Sequence, residues 1–207
     1  MTPSLYINPD IAGDEGQGAR PLHPGGGANQ LRVRAYNERL VLSLVRRNVG
    51  LSKADIARLS GLSAQTVSVI MRALEKDGLL KRGNPVRGKV GKPSIPMALD
   101  PDGVFSFGLK IGRRSAELIL MDFVGTVRAS LNEAYKYPTP DGIRKFVRAS
   151  VEQLSRGLST MHRQRIAGIG IAAPFELWNW VEEVGAPPED MSAWREGELT
   201  LIRTLST

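Results

Sequence analysis

The sequence predicts an α+β protein that is built from two domains. The amino-terminal part shows the spacing of three short amphipathic helices followed by two short strands, and the middle shows three strands, a long helix and a fourth strand. A change in composition near Asp100-Pro101 separates the two patterns. We therefore expect a flexible arm over residues 1–30, a first domain over 31–100 and a second, incomplete domain over 103–207.

The amino-acid composition excludes several classes of function. The chain has 207 residues, of which 42% are hydrophobic, so a packed core is expected. It contains no cysteine, which excludes disulfides, thiolate metal sites and a cysteine nucleophile. No stretch resembles a signal peptide or reaches the length of a membrane span, so we expect a cytoplasmic protein without membrane contact. The residues predict neither a metal nor a cofactor.

Positive charge is concentrated in one segment. Residues 31–92 hold 14 lysines and arginines against 4 aspartates and glutamates, whereas the rest of the chain has a net charge of −3. A basic domain attached to a mildly acidic one indicates a polyanion as the partner of the first domain alone. A solvated basic surface without a partner is the alternative that charge leaves open.

The first predicted helix lies at the start of this basic segment. It runs from Arg34 to Val49, and Gly50 stops it. Apolar residues recur at helical spacing along one side of it, which predicts a face that packs on a core. That face consists of Leu40, Val41, Leu44 and Val45.

Two further helices follow at once. Ser52 and Asp55 match a capping box at the start of the second helix, which ends at Gly61. Its inward residues are expected to be Ile56, Ala57 and Leu59. Ser63 is placed to cap a third helix over residues 64–77. The inward stripe of the third helix is expected to be Val67, Ile70, Met71 and Leu74.

A hairpin completes the pattern of the first domain. LLKRG and SIPMAL are predicted as two short strands, joined by the basic loop GNPVRGKVGKP, which is rich in glycine and proline. Helix, helix, short turn, helix and hairpin is the arrangement of a winged helix-turn-helix domain. In that arrangement the third helix lies in the major groove of double-stranded DNA.

The third helix lies within an uncharged stretch, LSGLSAQTVSVIM, between Arg58 and Arg72. Base edges present neutral donors, acceptors and thymine methyls, so neutral side chains can read them. The outward residues predicted to read bases are Gln65, Thr66, Ser68 and Val69. Gln65 suits a bidentate contact with adenine, and Thr66 and Val69 suit a thymine methyl. A small helical bundle whose outward polar residues face water is the alternative.

Basic side chains around this stretch are expected to bind phosphates, which set affinity and register but carry no sequence information. In the helices they are Arg46, Arg47, Lys53, Arg58 and Arg72. In the wing they are Arg87, Lys89 and Lys92, which either enter the minor groove or lie along the DNA backbone. A solvated, lysine-rich hairpin is the alternative for the wing.

The second domain is predicted to alternate strands with a helix. Strands are expected over 103–112, 115–122 and 124–135, and RIAGIGIAAP is expected to return as a buried strand. Between them a helix is predicted from about Pro140 to His162. Its apolar face is expected to be Ile143, Phe146, Val147, Val151, Leu154 and Leu158. This order of elements is the opening of an α/β domain of ribonuclease H or actin type.

The run ADIARLSGLSAQTVSVIMRALEKDGLLKRG, followed by VGKPSIPMAL, resembles the DNA-binding half of the ROK family of repressors and sugar kinases. FGLKIGRRSAELILMDFVGTV and GIGIAAP are similar to strands of the family's sugar-kinase-like half. The resemblance extends from about Gln30 to about Trp194. It implies a bacterial transcription regulator, usually a repressor, that binds operators as an oligomer, here expected to be a homodimer. It also implies release by a sugar or sugar derivative.

The sequence departs from the kinases of that family. Their nucleotide loop is Asp-Ile-Gly-Gly-Thr, and the matching run here is Lys110-Ile111-Gly112-Arg113-Arg114. Lysine replaces the acid and arginine replaces a glycine, so only the charge of Arg113 and Arg114 remains to attract phosphate. The family's Asn-Asp pair, Glu-x-Gly-His motif and cysteine-rich zinc motif do not occur before Thr207. We therefore expect no enzyme activity, no catalytic residue and no sugar site in this sequence.

Three functions compete on these observations. The first is a repressor of carbohydrate uptake or metabolism genes that acts by occupying an operator. The second is a carbohydrate kinase with an appendage, which requires an acid at position 110. The third is an interaction fragment, in which an apparently truncated second domain exposes a sheet edge and associates with intact relatives. Trp178, Trp180 and Trp194 either serve such a contact or cover the sheet.

Overall fold

The computed structural model of the protein describes residues 26–48, 50–84 and 95–195. The described residues from Asn37 onward form one compact unit by their contacts, and the domain boundary expected near residue 100 stays a prediction. The first five elements follow the predicted order of three helices and a two-stranded hairpin. They are α1 (Gly26–Arg47), α2 (Lys53–Ser60), α3 (Ala64–Lys76), β1 (Leu80–Arg82) and β2 (Met97–Leu99).

Helix α1 begins earlier than the sequence predicts. It starts at Gly26 rather than Arg34 and ends at Arg47. Residues 26–30, which the sequence predicts as part of a flexible arm, form its beginning. Residues 28–33, ANQLRV, contain neither proline nor glycine and include good helix formers, so nothing in them stops the helix. The remainder of the predicted arm, residues 1–25, lies outside the described residues.

Helices α1, α2 and α3 and the hairpin enclose one hydrophobic core. The third helix contributes all four residues of its predicted inward stripe, and α2 contributes Ile56. The buried members are Val41, Val45, Ile56, Val67, Ile70, Met71, Leu74, Leu80, Met97 and Leu99. Leu40 and Leu44, which were predicted to face this core, are half-buried.

The prediction that Leu59 points inward is wrong. Its side chain is 48% exposed. The less exposed side of α2 is formed by Lys53, Ile56, Ala57 and Ser60. Since successive residues are about 100° apart around a helix, Leu59 falls roughly 110° from the centre of that side. Ile56, by contrast, is fully buried, so α2 packs through a narrower face than the apolar pattern indicates.

The second part of the chain forms a four-stranded sheet with helices on one face. Its elements are β3 (Phe105–Ile111), β4 (Ser115–Asp122), β5 (Val127–Ala134), α4 (Pro140–Arg156), α5 (Thr160–Arg163) and β6 (Ile166–Ala172). The strand order is β5-β4-β3-β6. Strands β3, β4 and β5 are antiparallel neighbours, whereas β6 returns parallel to β3 after the helices. This is the predicted succession of three strands, helix and strand.

Two predictions for this part need correction. The long helix ends at Arg156 instead of His162, because Gly157 follows it and Ser159 caps the separate short helix α5. The strand expected to be buried, β6, lies at the edge of the described sheet. Its isoleucines at 166, 169 and 171 are half-buried, and its residues between them are exposed.

The three tryptophans pack against the α4 side of the sheet. Trp194 is 1% exposed and its indole Nε1 donates to the Pro138 carbonyl at 3.0 Å. Trp178 and Trp180 are half-buried and contact the same core. Of the two roles the sequence leaves open for these residues, the described contacts support covering the core.

Asp122 organises the turn between β4 and β5. Its side chain is buried, and its Oδ1 accepts from the amides of Val124 (3.1 Å) and Thr126 (2.8 Å). Arg128 Nε donates to its Oδ2 at 2.6 Å. Burial by itself raises the pKa of Asp122, but the hydrogen bonds from Arg128 and from the Thr126 amide outweigh it, so the pKa lies below its ordinary value.

The Asp122 carboxylate therefore makes stability dependent on acid. A lowered pKa in the folded protein gives stability that is present above the unfolded value, about 3.9, and is lost as pH falls toward the folded value. We expect the difference in free energy of unfolding between wild type and Asp122→Asn to be constant near neutral pH and to shrink below about pH 4. Urea denaturation at several pH values measures it. Ser130→Ala, at an exposed position on β5 that carries no titratable group, is the control, and its difference from wild type should not change with pH. An unchanged difference down to pH 3 (roughly one unit below the unfolded value) would contradict this assignment.

Candidate nucleic-acid interface

The turn between α2 and α3 is fixed by caps on both helices. Gly61 ends α2 with a φ of 70°, a left-handed conformation that glycine adopts without strain. Ser52 and Asp55 form the predicted capping box at the start of α2. Ser63 caps α3, since its Oγ accepts from the Thr66 amide at 3.1 Å. These caps set the angle at which α3 leaves the turn.

The outward face of α3 presents the predicted neutral residues unequally. Gln65 is exposed and Val69 is 54% exposed, one helical turn apart on the same face. Thr66 and Ser68 are half-buried. The Thr66 hydroxyl also lies 2.8 Å from Ser63 Oγ, so it belongs to the cap and leaves only its methyl for a ligand. Gln65 and Val69 are therefore the better placed of the four.

The structure extends this face to a basic residue that the sequence analysis did not select. Arg72 and Lys76 are exposed at seven and eleven residues after Gln65, which puts them on the same stripe of α3. The guanidinium Nε of Arg72 donates to the Ser68 carbonyl at 3.1 Å. The spacing i, i+4, i+7 and i+11 was the signal in the sequence that identifies Lys76.

The predicted phosphate contacts of the helices all reach solvent. Arg46 and Arg47 are exposed in the last turn of α1, Lys53 is half-buried at the start of α2, and Arg72 is exposed on α3. Arg58 is exposed and pairs with Asp55 at 3.0 Å. Hydrogen bonds from the Ser52 side chain, and then from Arg58, hold the pKa of Asp55 below its ordinary value. A phosphate that binds Arg58 has to compete with this carboxylate.

The base of the wing is tied to α3. Glu75 accepts two hydrogen bonds from Arg82 on β1, at 2.5 Å from Nε and 3.1 Å from Nη2. These bonds hold the pKa of Glu75 below its ordinary value. Such a paired fork fixes the hairpin relative to the helix. The predicted wing contacts Arg87, Lys89 and Lys92 lie outside the described residues.

Arg113 and Arg114, whose charge the sequence leaves as the remaining attraction for phosphate in this turn, contact other residues of the protein. The Arg113 guanidinium lies 5.0 Å from the centre of the Trp180 ring, as in a cation–π contact. Arg114 donates to the carbonyls of Lys136 and Val184. The kinase-like turn at residues 110–114 is thus packed against later parts of the chain, and the hypothesis that these arginines attract phosphate gains no support.

A tyrosine closes the same turn. Tyr135 donates a hydrogen bond from its hydroxyl to the Gly112 carbonyl at 2.8 Å. Burial raises the pKa of Tyr135 to about 12 despite this bond, so it stays neutral over the physiological range.

Over 26–48, 50–84 and 95–195, no group of acidic and histidine side chains is arranged to hold a metal ion. Within those ranges no helix has both the length and the apolar character to cross a membrane.

The cap of α3 can be tested by Ser63→Ala. Loss of the hydroxyl leaves the Thr66 amide without its acceptor, and we expect a loss of about 1 kcal/mol in the free energy of unfolding. Urea denaturation followed by circular dichroism measures it. Ser43→Ala, at an exposed position inside α1, is the control and should lose nothing, because alanine is the better helix former. Equal effects at the two serines would show that Ser63 is not a functioning cap.

Known proteins with a similar sequence include DNA-binding regulators. Residues 34–81 match a family model described as winged helix-turn-helix DNA-binding. The chain is 24% identical over 140 residues to the uncharacterized protein y4fQ of Sinorhizobium fredii, covering 68% of this chain and 36% of that protein. It is 22% identical over 149 residues to the xylose repressor of Bacillus spizizenii, covering 71% and 38%. It is 28% identical over 123 residues to the dual regulator NagC of Escherichia coli, covering 58% and 29%.

A solved structure matches the fold over a similar range. It is described as a ROK family transcriptional regulator, homolog of the E. coli MLC protein, and it aligns with a TM-score of 0.51 at 19% identity. The alignment covers 69% of this chain and 36% of that one. At this identity the likeness concerns the fold alone. The chain spans less than two fifths of each of these proteins.

The fold and the matches define a protein that carries a winged helix-turn-helix DNA-binding domain. The predicted fold class, in which this domain precedes part of an α/β domain, is confirmed. The predicted resemblance to ROK-family transcriptional regulators is confirmed as a likeness of fold to one solved member, and the chain is similar in sequence to the regulators named above.

Proposed function

We propose that this protein is a DNA-binding transcriptional regulator of the repressor type, which acts in the cytoplasm by occupying an operator. The observation that carries the proposal is the outward face of α3, where exposed uncharged side chains lie beside exposed cations. The turn that leads into α3 is fixed by helix caps. Phosphates need charge and base edges need neutral groups, so the two sets of residues have separate tasks. The relative named xylose repressor supports the repressor role, and the dual regulator NagC supports a role in transcription.

The DNA contacts are proposed residue by residue. Gln65 and Val69 read bases in the major groove, and Thr66 and Ser68 contribute through a methyl and a small polar group at its edge. Phosphates are bound by Arg46, Arg47, Lys53, Arg58 and Arg72, with Arg87, Lys89 and Lys92 in the wing. Lys76 joins them, since it continues the exposed stripe of α3. These residues belong to the domain proposed over 31–100.

The wider role follows the names of the relatives. We propose that the regulated genes concern carbohydrate uptake or metabolism, that the protein binds its operator as a homodimer, and that a sugar relieves repression. The chain spans 38% of the xylose repressor that it matches, and no residue here is assigned to an effector. No kinase activity is proposed, because position 110 is lysine where the family's kinases have an acid, and the exposed Arg113 and Arg114 contact Trp180 and the Val184 carbonyl.

A fluorescence-anisotropy titration tests the proposal. Duplexes selected by the chain from a random pool are titrated against an excess of unselected duplex, at low and at physiological salt. We expect binding that survives the competitor and weakens steeply with salt, because several phosphates are neutralised. Binding that disappears with competitor at every salt concentration would reduce the basic segment to non-specific attraction and overturn the proposed function.

A further inference from the structure

Arg165 connects the last turn of α3 to the beginning of the sheet. Its Nη1 donates to the carbonyl of Asp77 at 3.0 Å and to that of Gly103 at 2.9 Å. Asp77 follows α3 directly, and Gly103 lies two residues before β3. Arg165 itself directly precedes β6, and its carbonyl accepts from the Phe105 amide at 3.0 Å. One side chain thus joins the helix proposed to read DNA to the start of two neighbouring strands.

The region around the Arg165 guanidinium is closely packed at two glycines, Gly78 and Gly103. Gly78, with a φ of 71°, lies beneath the guanidinium, and a Cβ there would come within 2.8 Å of Arg165 Nη2. A Cβ on Gly103 would come within 2.7 Å of the Gly78 carbonyl oxygen. A Cβ on Gly103 would collide with backbone, which cannot easily move, whereas a Cβ on Gly78 would displace the guanidinium from its position and would be strained by the positive φ. The two glycines therefore allow the guanidinium and the two backbones to meet.

The charge of Arg165 suits this position. The last carbonyls of a helix carry partial negative charge, and a cation that donates to them stabilises the helix end. Both acceptors of Arg165 are main-chain carbonyls, and the described residues offer it no carboxylate partner. Its positive charge is therefore shared between the end of α3 and the Gly103 carbonyl, and no side chain among the described residues neutralises it.

A second contact holds the same two parts together. Phe123, in the turn that Asp122 organises, packs against the core of the winged helix. Its amide donates to the Pro101 carbonyl at 3.1 Å, and the Asp100 amide donates to the Leu79 carbonyl at 3.0 Å. Two contacts at separate points resist rotation better than one, so α3 is held against the sheet in a defined orientation.

We propose that Arg165 is a positioning residue of the DNA interface. It touches no base; it holds the carboxyl-terminal end of α3 so that the exposed face with Gln65 and Val69 is presented in one orientation. The inference rests on the proposed function, since only a protein that reads DNA needs this orientation. It also makes the end of α3 sensitive to any movement of β6, whose first residue follows Arg165 in the chain.

The test compares Arg165→Ala with Arg163→Ala in the full chain. Arg163 is exposed, lies two residues away and, within the part of the chain that the structure describes, donates to the nearby carbonyls of Leu158 and Arg156. Its loss therefore removes the same charge and none of the contacts described for the end of α3. The first readout is discrimination, the ratio of dissociation constants for unselected and selected duplex. We expect Arg165→Ala to lower this ratio about tenfold more than Arg163→Ala does. Arg165→Lys, which keeps the charge, should restore part of it.

The second readout needs no DNA. The amides of Asp77, Gly78 and Leu79 are hydrogen-bonded to the carbonyls of Ala73, Glu75 and Leu74. We expect their hydrogen exchange to speed up about tenfold in Arg165→Ala and to be unchanged in Arg163→Ala. Should Arg165→Ala not fold, Arg165→Lys gives the same comparison with a smaller expected change.

The outcomes separate the two proposals. A wild type that does not discriminate between duplexes overturns the proposed function, and the exchange of the three amides then decides whether Arg165 orders the end of α3. A wild type that discriminates, with Arg165→Ala and Arg163→Ala alike in both readouts, overturns the inference. Faster exchange with unchanged discrimination makes Arg165 a residue of stability only and also overturns the positioning role.

Discussion

Val69→Glu is expected to abolish selective DNA binding. The substitution puts a negative charge in the centre of the exposed face of α3. On the proposed interface this charge meets base acceptors and phosphates, and the proposed contact of Val69 to a thymine methyl is lost. We expect the dissociation constant for selected duplex to rise on the order of 100-fold, measured by anisotropy at physiological salt. The stability of the fold should change little, since Val69 is 54% exposed.

Val127→Glu is the matched control. Val127 is the same residue type and is 50% exposed, but it lies on strand β5. The substitution changes the net charge equally, and we expect affinity to stay within about twofold because Val127 lies outside the proposed interface and an exposed charge there is screened by salt. Equal losses of DNA affinity in the two variants would show that net charge causes the effect. They would contradict the proposal that α3 reads the bases.

Of the substitutions considered in this protein, Trp194→Ala is expected to lower the free energy of unfolding the most. The indole is 1% exposed in the core beneath the sheet, and its removal would leave the Pro138 carbonyl without the Nε1–H donor. A buried tryptophan truncated to alanine costs about 3–5 kcal/mol, from lost burial and the cavity that remains. Urea denaturation followed by circular dichroism gives the free energy of unfolding.

Trp178→Ala provides the comparison within the same cluster. Trp178 is half-buried, so less apolar area is lost and the expected cost is smaller. Trp194→Phe keeps most of the ring and should fall between the two. A loss below about 1 kcal/mol for Trp194→Ala would show that this residue is not core, and would return an intermolecular contact to consideration.

Local patterns predicted the winged helix well, for a physical reason. The buried stripe of α3 repeats at the period of a helix, with Val67, Ile70, Met71 and Leu74. Ser52 and Ser63 stand at the starts of α2 and α3, where a helix cap is expected, so the apolar period and the caps give the same helices. Where the signals were less complete the prediction failed. The sequence HPGGG before Ala28 holds none of the serine, threonine, aspartate or asparagine residues that mark a helix start, yet α1 begins at Gly26. Leu59 is apolar yet 48% exposed.

Contacts between distant residues were beyond reach of the sequence. GIGIAAP is apolar, but whether a strand is buried depends on what lies beside it, and β6 lies at the edge of the described sheet. The base-reading candidates were chosen from helical spacing, which does not reveal that the Thr66 hydroxyl is taken by Ser63. The arginines of the 110–114 turn likewise looked available until Trp180 and the Val184 carbonyl were placed beside them.

The separation of charged from neutral residues on the proposed interface bears on how such a protein finds its site. Gln65 and Val69 carry no charge, whereas the cations proposed to hold the duplex are on other residues. Ionic strength therefore governs how long the protein remains on arbitrary DNA and how far it slides before it leaves. The preference for one sequence over another depends on contacts that release no counterions. Scanning and stopping are thus carried by different side chains, and the speed of the search can change without altering which site is chosen.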